Sequence, residues 1–318
     1  MAGSDETVNR QRRLHLGPAL AGFLSLAALA SLVFVPLLGA FIAMLAALPL
    51  VHLIAQGRPS ILGWGWVAVA LAGAALLWGG VWLAAALLAY LLLAVLPAVA
   101  VEAWLRRPWS TGRWAAGISA VALVAISGFL IAAFYPASPA DEIAHSLQAA
   151  LDETMRSMGG AGGGLGAADL LAQGVQLTAY LAPALAASYV LSAALWVRPR
   201  LPLLGLPRGA EPFALFTSEE WLPVAFAVGG LGWVFAQGMA KWLATNLFVT
   251  VLGLYFLHGL AIIHFYLGRR FGTNRWVRLA VALFALQIPV ALALSALGLT
   301  DAFVRLRRGG ATDGGSEA

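Results

Sequence analysis

Two stretches of an otherwise apolar chain carry side chains able to do hydrogen-bond or proton chemistry. The first, KWLATNLFVTVLGLYFLHGLAIIHFYLGRR, runs from Lys241 and holds Asn246, Thr250, His258 and His264. At ~100° per residue Thr250, Gly253 and His264 fall within roughly 40° of Asn246, and His258 borders that stripe at about 120°. The second places Gln173, Gln176 and Tyr180 within about 60° of each other, continued by Ala184 and Ala187. Lipid satisfies no polar side chain, so such stripes face protein, water or a ligand. Facing each other, they would line a small polar cavity in the outer half of a bilayer. Asn246, Thr250, Gln173, Gln176 and Tyr180 are the expected ligand contacts, with His258 nearby. The bland alternative is that the same groups hydrogen-bond across helices as packing glue.

The elements that carry them are membrane helices. The 318 residues are 61% hydrophobic and 10% charged, against about 25% charged in soluble domains. Apolar runs predict an all-α polytopic bundle of about nine spans. A polar cytoplasmic tail (1–13) leads into a single transmembrane domain (14–298) and a polar C-terminal tail (299–318). Residues 16–56 hold two spans divided near Pro36, and 61–105 hold two more hinged at Gly79–Gly80. A fifth span ends near Phe134 and a sixth covers 168–196. Thr217-Ser218-Glu219-Glu220 reads as a capping box opening a seventh at 221–238. The eighth is the polar-striped helix, and the last covers 278–298.

Between the fifth and sixth spans, 136–166 lies outside the membrane. Ser138-Pro139-Ala140-Asp141 reads as a helix start. Ile143, Leu147, Leu151, Met155 and Met158 then share one face, giving an amphipathic extracytoplasmic helix that ends at Gly159–Gly160. Orientation follows from the basic residues. With the N-terminus inside, fourteen are cytoplasmic and five outside, as the positive-inside rule expects. Three of those five, Arg305, Arg307 and Arg308, sit in the tail, so eight crossings are the alternative if the segment interrupted by Pro289 stays on one side.

Several function classes are excluded or disfavoured. The lone lysine, Lys241, is not in a P-loop, so this chain is not by itself an ATPase of that class. There is no cysteine, no HExxH and no EF-hand loop, and no cofactor motif. His258 and His264, six residues apart, point to different faces and are too few for a metal site. The arginines lie in loops between spans with no interleaved aromatic patch, which argues against nucleic acid. Glu102 and Asp169 lie near span ends, which disfavours a carboxylate-driven proton carrier. No converging carboxylates, serine–histidine pair or metal set is visible in the order of residues, so no enzyme is expected.

The stretch Asn246-Leu247, Val251-Leu252-Gly253, Leu254-Tyr255-Phe256-Leu257-His258-Gly259-Leu260-Ala261 to Arg269-Arg270 resembles the C-terminal signature of the YybS-like family of bacterial membrane proteins. The ending Leu297-Gly298-Leu299-Thr300-Asp301-Ala302-Phe303-Val304-Arg305 does so too. That family, a domain of unknown function, is distantly similar to the substrate-binding S components of energy-coupling-factor transporters. The resemblance implies a small-solute-binding transport subunit whose partners are a coupling membrane subunit and a separate ATPase. The other expectation is a membrane scaffold or envelope-assembly factor without a ligand, docking through the outer helix.

Overall fold

The computed structural model describes residues 17–58, 80–106, 109–157, 165–206, 213–271, 275–285 and 287–304, and every regular element among them is helical. Contacts within the chain group it into two units: Met1–Pro108 with Ser192–Gly209, and Trp109–Leu191 with Ala210–Ala318.

The first unit begins with α1 (Pro18–Phe34) and α2 (Pro36–Ala43). Each opens on a proline, which lacks an N–H the first turn would leave unpaired anyway. Gly39 of α2 meets the backbone of Ser31, whose hydroxyl donates to the Ala28 and Gly39 carbonyls at 2.6 and 3.3 Å. A short turn joins α2 to α3 (Leu48–Ala55). Gly80 holds φ 108°, which glycine alone adopts readily, and α4 (Val81–Tyr90) starts directly after it. The expected hinge at Gly79–Gly80 is described only from Gly80 onward. The expected span over 61–79 lies outside the described residues. A π-helical turn, Leu91–Val95, links α4 to α5 (Leu96–Arg106). Pro97 has no N–H for the regular ladder, and a local π-turn absorbs the interruption.

The second unit holds α6 (Thr111–Phe134), α7 (Pro139–Ser157), α8 (Leu165–Tyr180), α10 (Leu222–Phe235), α11 (Gly238–Phe271), α12 (Arg275–Ala285) and α13 (Ile288–Val304). The unit boundary falls inside α9 (Ala182–Val197). The α6 N-cap is Ser110, whose hydroxyl accepts from the Arg113 N–H at 3.1 Å. α10 and α11 form an antiparallel hairpin turned at Gly238, φ 56°. Its helices close on Gly229, where a Cβ would lie 2.9 Å from the Phe248 nitrogen, and on Gly232, where it would lie 2.6 Å from the Ala244 methyl. The glycines thus allow a tight contact between the two helices.

Four described helices are long and apolar enough to cross a membrane: Leu38–Ala55, Leu83–Arg106, Thr111–Phe134 and Gly238–Gly268. A fifth is added if Leu170–Tyr180 and Ala182–Leu204, bent by 71°, count as one broken span. Pro18–Leu32, Leu222–Phe235 and Ile288–Val304 are apolar but shorter. At ~1.5 Å per residue they fall short of a ~30 Å hydrocarbon core unless the bilayer thins around them. The nine crossings expected from apolar runs thus exceed what helix length carries among the described residues.

Two local expectations are corrected. The last span, 278–298, is not one helix: α12 ends at Ala285 and α13 begins at Ile288, ahead of Pro289 and running on to Val304. Proline at the second position of a helix is tolerated where it would break an interior, so the chain restarts there. The capping box at Thr217–Glu220 does not form. The cap of α10 is Trp221, without a side-chain hydrogen bond, because Ser218 and Glu219 are committed to other elements.

Candidate functional site

α11 is the element on which the buried polar groups converge, and it holds two separate constellations. The first is at Asn246, which has no exposed surface. The sixth expected span breaks between α8 and α9, just before Pro183, which has no N–H and disfavours helix in the residue ahead of it. At the break the Asn246 carboxamide takes up the interrupted ladder. Its Oδ1 accepts from the Ala184 N–H at 3.0 Å, and its Nδ2 donates to the Tyr180 carbonyl at 3.0 Å and the Trp242 carbonyl at 2.9 Å. Thr250, also buried, donates to the Asn246 carbonyl at 2.8 Å. Ala184 and Ala187 are fully buried, and Ser188 lies 3.9 Å from where a Gly253 Cβ would stand. Asn246 thus reaches the second stripe only at the Tyr180 carbonyl and the Ala184 N–H, as a side chain bridging a broken backbone.

The six expected ligand contacts do not converge on one cavity. Asn246 and Thr250 spend their hydrogen bonds on backbone, and Tyr180 contributes its carbonyl to the same junction. Gln173 is exposed on α8. Gln176 lies in a groove between α7 and α8 of about 290 Å³, lined by Asp141, His145 and Gln148 from α7 and by Ala172 and Val175 from α8. His258 belongs to a different cluster. The physical reason for the correction is that a buried break in a helix leaves orphan backbone groups, and these claim the nearest carboxamide before any ligand can.

α7 itself begins at Pro139 with Asp141 and Glu142 in its first turn, favourable at the positive end of the helix dipole. Of its expected apolar face, Ile143 and Leu151 are half-buried, while Leu147 and Met155 are exposed; Met158 lies outside the described residues.

The second constellation joins three elements distant in sequence. His258 on α11, 2% exposed, bonds through Nε2 to Asp301 Oδ2 of α13 at 2.8 Å. Through Nδ1 it bonds to the Ser218 hydroxyl at 3.0 Å. Phe216, fully buried in the loop ahead of α10, packs edge-on against the imidazole with ring centres 6.2 Å apart. His264 makes a similar edge contact with Phe213 of that loop, at 6.0 Å. α13 reaches His258 because two glycines permit it. A Cβ at Gly259 would overlap the Leu294 carbonyl, and one at Gly298 would overlap the Tyr255 carbonyl.

The loop from Phe213 to Trp221 is held on both sides of Ser218. The Thr217 carbonyl lies against Gly112, so closely that a Cβ there would overlap it, and Ser110 donates to Glu219 at 2.8 Å. Order of residues did not show a serine–histidine pair, yet folding makes one and adds a carboxylate. The residues missed were Ser218, assigned to a cap, and Asp301, assigned to the polar tail. The available signal was a carboxylate within one turn of the end of an apolar helix, where burial demands a partner.

The searches of curated proteins and of solved structures each gave no match. The model of the family described as predicted membrane protein (DUF2232) matches residues 23–302, which spans both constellations, and the chain belongs to that family.

Proposed function

We propose that the protein is a small-solute-binding subunit of a transport system in a bacterial cytoplasmic membrane, N-terminus inside, and that the groove between α7 and α8 is its binding site. The observation that carries this reading is the lining of the groove. A carboxylate, an imidazole and two carboxamides face a volume of about 290 Å³, close to the lower size of small-molecule sites. These groups offer both donors and acceptors on an otherwise apolar wall that includes Ala144, Ala172 and Val175, which suits a small molecule with polar groups on an apolar frame. No P-loop is present in the sequence, so energy for transport would come from a partner ATPase and a coupling subunit, as the resemblance to S components implies. Binding at the groove needs no chemistry from the chain.

The purified protein in detergent should gain thermal stability with one member of a metabolite panel. A ligand at a hundred times its Kd adds about 2.7 kcal/mol. Gln176→Leu combined with His145→Ala should abolish that gain while leaving the unliganded melting temperature within about 2 °C, since exposed substitutions are usually near neutral. A panel that stabilises nothing would sink the reading.

A second reading, an assembly scaffold, is favoured by exposed Leu147 on α7 beside exposed Leu170 and Leu171 on α8. Co-purification separates the two. An ATPase with a coupling subunit supports transport, whereas envelope-assembly proteins support the scaffold.

A further inference from the structure

The Ser218–His258–Asp301 chain lines no part of the groove and is unexplained by solute binding there. Its chemistry follows from the donor and acceptor roles. An ionised Asp301 carboxylate can only accept, so His258 must carry its proton on Nε2, the atom 2.8 Å away. A neutral imidazole then has its lone pair on Nδ1, which faces the Ser218 hydroxyl at 3.0 Å. The hydroxyl therefore donates towards the ring, and the serine oxygen is poised beside a general base whose charged form a carboxylate supports. Serine, histidine and carboxylate hydrogen-bonded in series are the groups used for nucleophilic catalysis on unrelated folds; here the serine faces Nδ1 and the carboxylate Nε2, so the two ring nitrogens exchange roles relative to the Ser-His-Asp template.

Three further features fit that use better than simple packing. Ser218 is held in place by its neighbours: Phe216 is buried, Thr217 abuts Gly112, and Glu219 accepts from Ser110. Such preorganisation is what a reacting group requires. His258 and Asp301 are 2% and 6% exposed, whereas Ser218 is half-buried, so the serine is the less enclosed end of the chain. Flanking that end, Leu215 and Trp221 are 48% and 47% exposed on the same loop. An indole and an aliphatic side chain beside a membrane helix suit contact with an acyl chain at the bilayer surface.

We propose that Ser218 is an activated nucleophile for ester-linked acyl groups of membrane amphiphiles, with His258 as its general base and Asp301 as the residue positioning His258. The Ser218 oxygen bonds to the acyl carbon as its proton passes to His258 Nδ1. The bond from that carbon to the alkoxy oxygen breaks, and the departing alcohol takes the proton from Nδ1. Water then adds to the acyl-serine, giving a proton to Nδ1 as its oxygen bonds to carbon. The carboxylic acid leaves and Ser218 recovers the proton. No atom or electron is left over.

The test uses the full chain, in native membranes and in detergent, with an alkyl fluorophosphonate carrying a biotin tag. Attack by Ser218 displaces fluoride and leaves a stable phosphonyl ester that peptide mass spectrometry locates. The expected result is labelling at Ser218, absent in Ser218→Ala and at least tenfold slower in Asp301→Asn. Ser218 is half-buried on a loop, so the alanine variant should fold, as shown by an unchanged melting temperature and a single elution peak. Wild-type protein that is folded by those criteria and takes no label overturns the proposal. So does equal labelling of wild type and Ser218→Ala. Either result would leave the three residues as a staple between α11, α13 and the loop, and would leave solute binding at the groove untouched.

Discussion

Replacing Asn246 with leucine is expected to destabilise the protein by about 2–6 kcal/mol, the cost of stranding two backbone groups away from water at about 1–3 kcal/mol each. The groups are the Ala184 N–H and the Tyr180 carbonyl, both partnered by the carboxamide at the break between α8 and α9. The third partner, the Trp242 carbonyl, lies one turn back on Asn246's own helix and is less dependent on it. Asn246→Asp is the sharper variant. A carboxylate keeps the acceptor for Ala184 but loses both donors and turns charge towards two carbonyls, so it should be at least as damaging as leucine. Thermal unfolding and size-exclusion profiles of the solubilised protein read the effect. A leucine variant melting within about 2 °C of wild type would show that the broken ladder finds other partners, as polar groups in membrane proteins sometimes do.

Gly259→Ala and Gly298→Ala are expected to be comparably severe, at about 3 kcal/mol or more. Both new methyl groups meet backbone carbonyls, which cannot rotate aside as a side chain would. Relief requires α11 and α13 to separate, and separation lengthens the 2.8 Å bond between His258 and Asp301. The two glycines and the buried pair should therefore fail together, and a double variant Gly298→Ala with Asp301→Asn should cost less than the sum of its parts. Gly117→Ala and Gly128→Ala in α6 are the controls. A Cβ at either meets nothing within 4 Å, and removing helical glycines should leave stability unchanged or raise it by about 0.5–1 kcal/mol. Loss of stability in the controls as large as at Gly259 would mean that glycine itself, rather than the crossing, is at issue.

Much of the architecture was legible in the residues. Apolar run length predicts helices where α3, α5, α6 and α11 stand, and Pro139 with Asp141 marks the start of α7. The polar stripe that holds Asn246 and Thr250 announces a buried seam. Span number was less legible, because hydropathy sees apolar composition and not whether a helix continues. The run at 168–196 looks continuous yet bends by 71° ahead of Pro183, and the run at 278–298, where Pro289 marked an interruption, is carried by two helices, one ending at Ala285 and one starting at Ile288. A proline lowers the cost of a break, and whether the break occurs depends on who satisfies the freed backbone groups. At Pro183 the answer is Asn246, 62 residues from Ala184.

The same reason separates the two kinds of site residue. A side chain's chemical type and its place on a helix face are local properties, so the sequence by itself determined that the chain is helical, that it is a membrane protein, and that Asn246 and Thr250 share an inward face of their helix. Which partner each takes is a long-range property. Ser218 and Asp301 lie 40 and 43 residues from His258, and nothing in their spacing ties them to an imidazole. Their meeting rests on two glycines that let α13 approach α11, and on a loop held by Gly112 and Ser110. Only the tertiary structure decided that Asn246 mends a helix, and that His258 stands between a serine and a carboxylate. Buried polar groups must be paired, and the fold sets which pairs come within 3 Å.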